Sequence, residues 1–243
     1  MISNAIDTRG TTRAIAAAMQ GLERRFEVVA DNLANLETAG HKRLVAYSHH
    51  SSDESGGAEG PSRQEAVIAH DFTQGDLVAT DGFDDLALKG EGFFAVEVED
   101  KIRFVRSVTL SRDPEGTVLD SRGARLLGEA GPLRTNEPND ALRIERDGTV
   151  LSNGEAIGRL RVVTFVDPTK LLAEGGGRFV APEGTELVAA TSTEVMHGFR
   201  ERSNTDPVRE LVEMIVVQRQ YQAAQKALTT ESELRQRLNE LSR

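Results

Sequence analysis

The chain contains no cysteine and no tryptophan. The first absence excludes disulfide bonds and thiolate chemistry. Aromatic residues make up only 5% of the sequence, which is lean for a globular chain. A hydrophobic content of 38% beside 28% charged residues still leaves enough apolar mass for a real core. Positive charge is in deficit, with 29 Lys and Arg against 39 Asp and Glu and a net charge of -10. That balance argues against nucleic acid as the main partner. It also discourages loose self-association, so any self-assembly must use specific apolar contacts. No apolar run approaches the roughly 20 residues a membrane span needs, so no membrane insertion is expected. The opening "MISNAIDTRGTTRAIAAAMQ" lacks the ordered charged, apolar and cleavage regions of a signal peptide. The expectation is a chain that stays in the cytosol or leaves it by a route needing no cleaved signal.

What the sequence does contain is unevenly distributed. Its 243 residues allow one large domain or two modest ones. Residues 11–37 carry a single helix breaker, Gly21. Their apolar positions Ile15, Met19, Leu22, Phe26, Val29, Leu33 and Leu36 alternate steps of four and three, the repeat of a coiled-coil seam. Gly40 is placed to end this helix in a left-handed turn. Near the other end, "SNTDPVREL" reads as a helix start, with Asp206 as N-cap and Pro207 in the first helical position. A stripe then runs through Leu211, Met214, Val217, Tyr221, Ala224, Leu228, Leu234, Leu238 and Leu241, interrupted at Glu231. Neither helix has a core within its own segment, so the two are expected to pair.

Between the helices lie a polar linker and a β-rich module. The stretch "SHHSSDESGGAEGPSRQE" is the linker. Beyond it, runs such as "EGFFAVEVED", "KIRFVRSVTL", "GTVLDS" and "GRLRVVTFVD" recur between turn signals, among them "DPEG" and "RDGT". The expected fold class is α+β, with N- and C-terminal helices paired as a coiled-coil-like stem and one β-rich module inserted between them. The expected boundaries are 1–47 for the N-terminal helix, 48–65 for the linker, 66–197 for the β-rich module and 198–243 for the C-terminal helix.

One segment carries too much apolar surface. In "ELVEMIVVQRQYQ", Leu211, Val212, Met214, Ile215, Val216 and Val217 crowd nearly every side of the helix. A helix lying on one core needs an apolar stripe of only about 100°. The excess is accounted for by burial against the β-rich module of the same chain or by packing between subunits, and the second reading is preferred.

A search for chemistry finds no catalytic, cofactor-binding or metal-ligating constellation. The histidines His41, His49, His50, His70 and His197 include no pair one helical turn apart, and His49 and His50 fall in the linker. Gly90 and Gly92 in "LKGEGFF" precede a β-rich run, where a dinucleotide fingerprint requires a helix. They suit a tight turn beside Phe93 and Phe94. Asp84, Asp85 and Glu91 are close in sequence, as paired acid catalysts would be, but acids beside a turn are more often solvated. "EGGGR", residues 174–178, is a glycine-rich loop without a lysine or helix start to hold an anion.

Three stretches carry a resemblance. "VVADNLANLETAGHKR" resembles the N-terminal signature of the flagellar rod and hook axial proteins, through Asn32, Leu33, Ala34, Asn35, Thr38, Gly40 and Lys42. Asp31 departs from its usual asparagine and His41 from its usual phenylalanine. "FTQGDLVATDGFDDLALKGEGFFAVE" looks like the central motif of the same family, through Gln74, Gly75, Leu77, Thr80, Leu86, Gly90, Gly92, Phe93 and Phe94. "SNTDPVRELVEMIVVQRQYQAAQKAL" looks like the C-terminal motif, through Ser203, Asn204, Asp206, Met214, Ile215, Gln218, Arg219 and Tyr221, with Pro207 in place of an apolar residue.

The resemblance implies a structural, non-enzymatic subunit of the flagellar basal-body rod. In that family the terminal helices polymerise into the inner wall of a hollow tube, with the β-module outside. Implied partners are further copies of the chain, other rod and hook axial proteins and the flagellar type III export apparatus. No nucleic acid, small-molecule substrate or cofactor is expected. The implied location is the extracytoplasmic, periplasmic rod of the basal body. Val212 and Val216 join the motif residues as candidate assembly contacts. The stretch "GEAGPLRTNEPNDALRIERDGTV" looks closer to a proximal-rod protein than to a distal-rod one, and the short linker argues against a hook protein. A β-rich enzyme and a secreted binding module outside the flagellum remain the alternatives from other classes.

Overall fold

The computed structural model describes residues 8–51, 63–137 and 140–241. They form two compact units. The first contains helix α1 (Thr8–Ala34), a hairpin of strands Leu44–Ser51 and Arg63–His70, and helix α2 (Pro207–Leu241). The second runs over residues 35–43 and 70–205 and is almost wholly β. Of the expected linker, residues 52–62 lie outside the described residues, and both of its ends belong to strands. His49 and His50 accordingly sit in a strand rather than a loop.

In the first unit α1 and α2 run antiparallel. The Tyr221 hydroxyl donates to Glu23 (3.0 Å) and Thr12 Oγ1 to Glu231 (2.8 Å), while Arg25 pairs with Glu213. The helix α2 starts as its sequence demands. Asp206 Oδ1 accepts the amides of Val208 (2.9 Å) and Arg209 (3.3 Å), two of the donors that a first turn leaves unsatisfied.

The α+β class stands, but an extended coiled-coil stem does not form. Two reasons are physical. The stripe that α2 turns inward is Glu210, Met214, Val217, Tyr221, Ala224, Leu228 and Glu231, and of its apolar members only Val217 is fully buried. On α1, Ile15, Met19, Leu22 and Leu33 are half-buried and Phe26 is exposed, leaving Val28 and Val29 as the closed contacts. A knobs-into-holes seam needs apolar residues at successive inward positions, and carboxylates occupy both ends of this one. Past Glu231, residues 232–240 are all exposed, Leu234 and Leu238 included. The helix α1 also stops at Ala34, short of the expected residue 37, where Thr38 turns back onto the Asn35 carbonyl (3.2 Å).

The second unit is built on a twelve-stranded antiparallel assembly with a separate three-stranded sheet, Leu142–Ile144, Thr149–Ser152 and Glu155–Arg159. One half of the assembly is a run of six strands in spatial order: Leu187–Ala189, Val162–Phe165, Phe93–Val98, Lys101–Val105, Arg178–Val180 and Leu172–Gly175. Phe93, Phe104, Phe165 and Phe179 pack edge to face beside this run and form one core cluster. A larger aliphatic core gathers Leu86, Leu88, Phe94, Val96, Leu126 and Val150. The turns follow their sequence signals. Gly116 donates to Asp113 O (3.0 Å) and Gly148 to Glu145 O (2.9 Å), both glycines at positive φ.

Candidate functional site

The motif residues converge on buried polar ties rather than on a cleft. In the second unit the fully buried Lys42 donates from Nζ to Glu201 Oε1 (2.7 Å) and to Thr73 O (2.6 Å). Glu201 Oε1 also accepts the Gly75 amide (3.1 Å), and Oε2 accepts Arg106 Nε (2.9 Å). Arg106 reaches on to the carbonyls of Gly92 and Gly90, the latter at 2.9 Å. Gln74 clamps the same turn, donating to Leu88 O (2.5 Å) and accepting from Gly90 N (3.1 Å). Gly90 and Gly92 are thus a tight turn whose carbonyls feed a guanidinium. One carboxylate, with two cations beside it, joins the first and second sequence motifs and sits two residues before the third. Burial holds the Lys42 pKa below the ordinary lysine value, and the charge and hydrogen bond of Glu201 oppose that shift.

Glu201 belongs to none of the motif positions read from sequence. A single acid in "GFRERSN" carries no signal that it will be buried. Gly40 does have a positive φ (67°), but it lies well beyond the end of α1 and does not terminate it. It donates to the Glu201 carbonyl (2.9 Å), and a Cβ there would stand 2.9 Å from Arg106 Cβ. The requirement for glycine is therefore both conformational and steric.

Two amide side chains of the motifs serve as backbone mimics. Asn204 Oδ1 accepts the Arg43 amide (2.7 Å) and its Nδ2 donates to Asp71 O (2.8 Å) and Thr73 O (3.0 Å). In the first unit Asn32 makes a reciprocal pair with Leu44, accepting its amide (2.7 Å) and donating to its carbonyl (2.9 Å). Asn32 Nδ2 also reaches Glu210 Oε2 (3.3 Å), and both residues are fully buried. The Asn35 and Thr38 side chains hydrogen-bond each other (3.2 Å), and Ser203 Oγ donates to Thr205 Oγ1 (3.0 Å). Leu33 is half-buried and Ala34 exposed at the end of α1.

What remains unaccounted for by these ties is the outward side of α2. Val208, Leu211, Val212, Ile215 and Val216 are 68%, 52%, 56%, 51% and 38% exposed. Their spacing places them on one stripe with Arg219, opposite the inward stripe of Glu210, Met214, Val217 and Tyr221. Gln218 and Arg219 are exposed, Met214 and Tyr221 half-buried. Glu23 accepts the Tyr221 hydroxyl and raises its pKa. The helix thus carries apolar residues on both sides: Met214, Val217, Tyr221, Ala224 and Leu228 turn inward between Glu210 and Glu231, and a second aliphatic stripe faces out.

The remaining candidates do not assemble into reactive chemistry. Asp85 is buried against Thr109 (2.5 Å) and Arg200 (3.0 Å), while Asp84 faces Arg112 (3.4 Å). Burial would raise the Asp85 pKa, but these hydrogen bonds outweigh it and hold it below the usual carboxylate value. His70 Nδ1 lies 3.1 Å from Lys42 O, with its ring against Phe72 and Phe179. The Ile144 amide donates to His197 Nδ1 (3.3 Å), whose Nε2 meets Phe83 O. In "EGGGR", the Arg122 guanidinium lies where a Gly176 side chain would project. Among the described residues, no three His, Asp or Glu side chains are grouped to hold a metal ion, and no helix is long and apolar enough to cross a membrane.

Comparison with known proteins points one way. Residues 196–241 match the family described as flagellar basal body rod FlgEFG protein, C-terminal. The flagellar basal-body rod protein FlgF of Caulobacter vibrioides is 28% identical over 219 residues, 88% of this chain and 89% of the relative. The rod protein FlgG of Buchnera aphidicola subsp. Acyrthosiphon pisum is 28% identical over 245 residues, covering 89% and 93%. FlgG of Borreliella burgdorferi is 26% identical over 258 residues, covering 94% and 97%.

Proposed function

We propose, for a chain that belongs to the family of flagellar basal-body rod proteins, that it polymerises through its terminal helices as a structural subunit of the rod. The observation that carries this reading is the outward aliphatic stripe of α2, Val208 to Val216, which lies inside the family-matched segment. An acidic, soluble-composition chain has reason to expose such a stripe where another protein covers it. Neighbouring subunits and other axial proteins are that cover. Their arrangement is heterologous and open, as a filament requires. The resemblance of residues 128–150 to proximal-rod proteins supports a place in the proximal rod. Export through the flagellar type III apparatus is what the family resemblance implies. The role is mechanical, and the buried Lys42–Glu201–Arg106 cluster serves it by fixing the backbone rather than by reacting.

The test is complementation of a strain lacking this protein with the Val212→Asp, Val216→Asp double variant. Burying carboxylates without a partner costs several kcal/mol, enough to stop assembly. The variant should fold and be exported, yet be missing from basal bodies and fail to restore swimming. Normal swimming with normal incorporation would show that this stripe is not an assembly contact.

A further inference from the structure

The six-stranded run in the second unit ends on two open edges. The first is Leu187–Ala189, which pairs only with Val162–Phe165, and the second is Leu172–Gly175, which pairs only with Arg178–Val180. Every residue of both edge strands is exposed. Both carry exposed aliphatics, Leu187 at 42% and Val188 at 46% on the first and Leu172 at 60% at the start of the second. Soluble proteins blunt such edges with lysine, proline or inward charge. Neither strand contains lysine or proline, and the one charge on them, Glu174, is engaged by Arg103 of the same sheet (2.7 Å). A bulge between Ala173 and Gly175 narrows the second edge to its first two residues.

The backbone of the first edge is poised for a further strand. Val166 N donates to Glu186 O and Ala190 N to Val162 O. Residues 186, 188 and 190 therefore face the neighbouring strand, and the amides of Leu187 and Ala189 turn to the open side. Charge distinguishes the two edges. Exposed Glu183 and Glu186 precede the first, whereas exposed Arg122 lies against Gly176 at the end of the second; Lys170, before the second, is paired with Asp167 (3.7 Å). Six antiparallel strands also finish on edges of opposite direction. The first edge of one copy can thus meet the second edge of the next in antiparallel pairing without either copy being inverted.

We propose that copies of this chain join through the β-rich unit, the Leu187–Ala189 edge of one adding to the Leu172–Ala173 edge of the next. The occupant of each edge is a second copy of this chain. In antiparallel pairing the acidic start of the first edge meets the end of the second, where Arg122 lies, while pairing of the first edge with itself about Val188 would set Glu186 opposite Ala190, without a cation to meet. The contact is heterologous and leaves a free edge at each end, so it repeats. It rests on the rod reading and adds to it a contact outside the helices.

Because the chain has no cysteine, thiols can be placed at will. Paired strands lie about 4.8 Å apart, within reach of a short bis-maleimide whatever the register. The experiment treats basal bodies carrying Val188→Cys, Ala173→Cys or both with that reagent and follows the chain by immunoblot. The double variant should give a ladder of dimers and higher species, and each single variant should give none. Dimers from Val188→Cys alone would mean symmetric edge pairing and overturn the proposal. So would a chain that is present in basal bodies, with the double variant uncross-linked. A double variant and wild-type chain both missing from basal bodies would overturn the rod reading, and the proposal with it.

Discussion

At the scale of single residues, the strongest constraint is a carboxylate. Glu201 neutralises two buried cations and also receives a backbone amide, so its loss strands more charge than the loss of either partner. Removing one member of a buried ion pair costs about 3–5 kcal/mol. Glu201→Gln should lower the stability of the β-rich unit by that amount in a denaturant titration. Lys42→Met should cost clearly less, because Arg106 still satisfies the carboxylate. Equal losses from the two would mean that the pair, not the cluster, sets the energy. Asp140 offers a pH test. Its carboxylate accepts Ser152 Oγ (2.5 Å), the Glu137 amide (3.0 Å) and Asn153 Nδ2, which hold its pKa below the ordinary 3.8. A depressed folded pKa contributes stability above the unfolded value and loses it as pH falls through the folded one. The stability gap between wild type and Asp140→Asn should therefore be present near about pH 7 and shrink as pH falls below the ordinary carboxylate value, measured by chemical unfolding. A gap that persists in acid would assign the effect to packing instead.

Some of this was legible beforehand. Asp206 and Pro207 announced the start of α2, and the amide signature at Asn32 and Asn204 marked residues that do become ties. Glu201 was not legible, because burial of a lone acid depends on cations 95 and 159 positions away along the chain. Gly40 has the positive φ that its sequence position suggests, but its constraint is the closeness of Arg106, not the end of a helix.

At the scale of elements, the strands were easier to read than the helix pair. "FFAVEV" and "KIRFV" alternate between turn signals and become neighbouring strands in register, Phe94 opposite Val105. The helices look like a coiled-coil seam when apolar spacing alone is counted. Spacing already sets Glu231 in that seam, but it does not reveal that Glu210 stands on the inward side of α2 while Leu211, Val212, Ile215 and Val216 stand outside. The consequence is a pair held by polar ties over part of its length. Thr12–Glu231 is the last of these beside Arg235, and residues 232–240 have exposed side chains. Hydrogen exchange on dilute chain should find amides 232–240 exchanging faster than those of 210–228. Uniform protection along α2 would mean that its tail has a partner within the same chain.

At the scale of the whole molecule, two units divide the work. The β-rich unit carries its own aliphatic and aromatic cores and needs no partner to bury them. The helical unit does not close over its own aliphatic surface: among the described residues Val208, Leu211, Val212, Ile215 and Val216 stay exposed. That asymmetry is the physical content of the rod assignment: a finished module beside an unfinished pair of helices. The most direct measurement is thiol accessibility of Ile215→Cys, a mild change at an exposed position in a chain with no other cysteine. In the free chain a maleimide should react at the rate of a solvent-exposed thiol. In isolated basal bodies the same residue should react about tenfold more slowly or less, because a neighbouring subunit covers it. Equal rates in the free and assembled states would contradict the account.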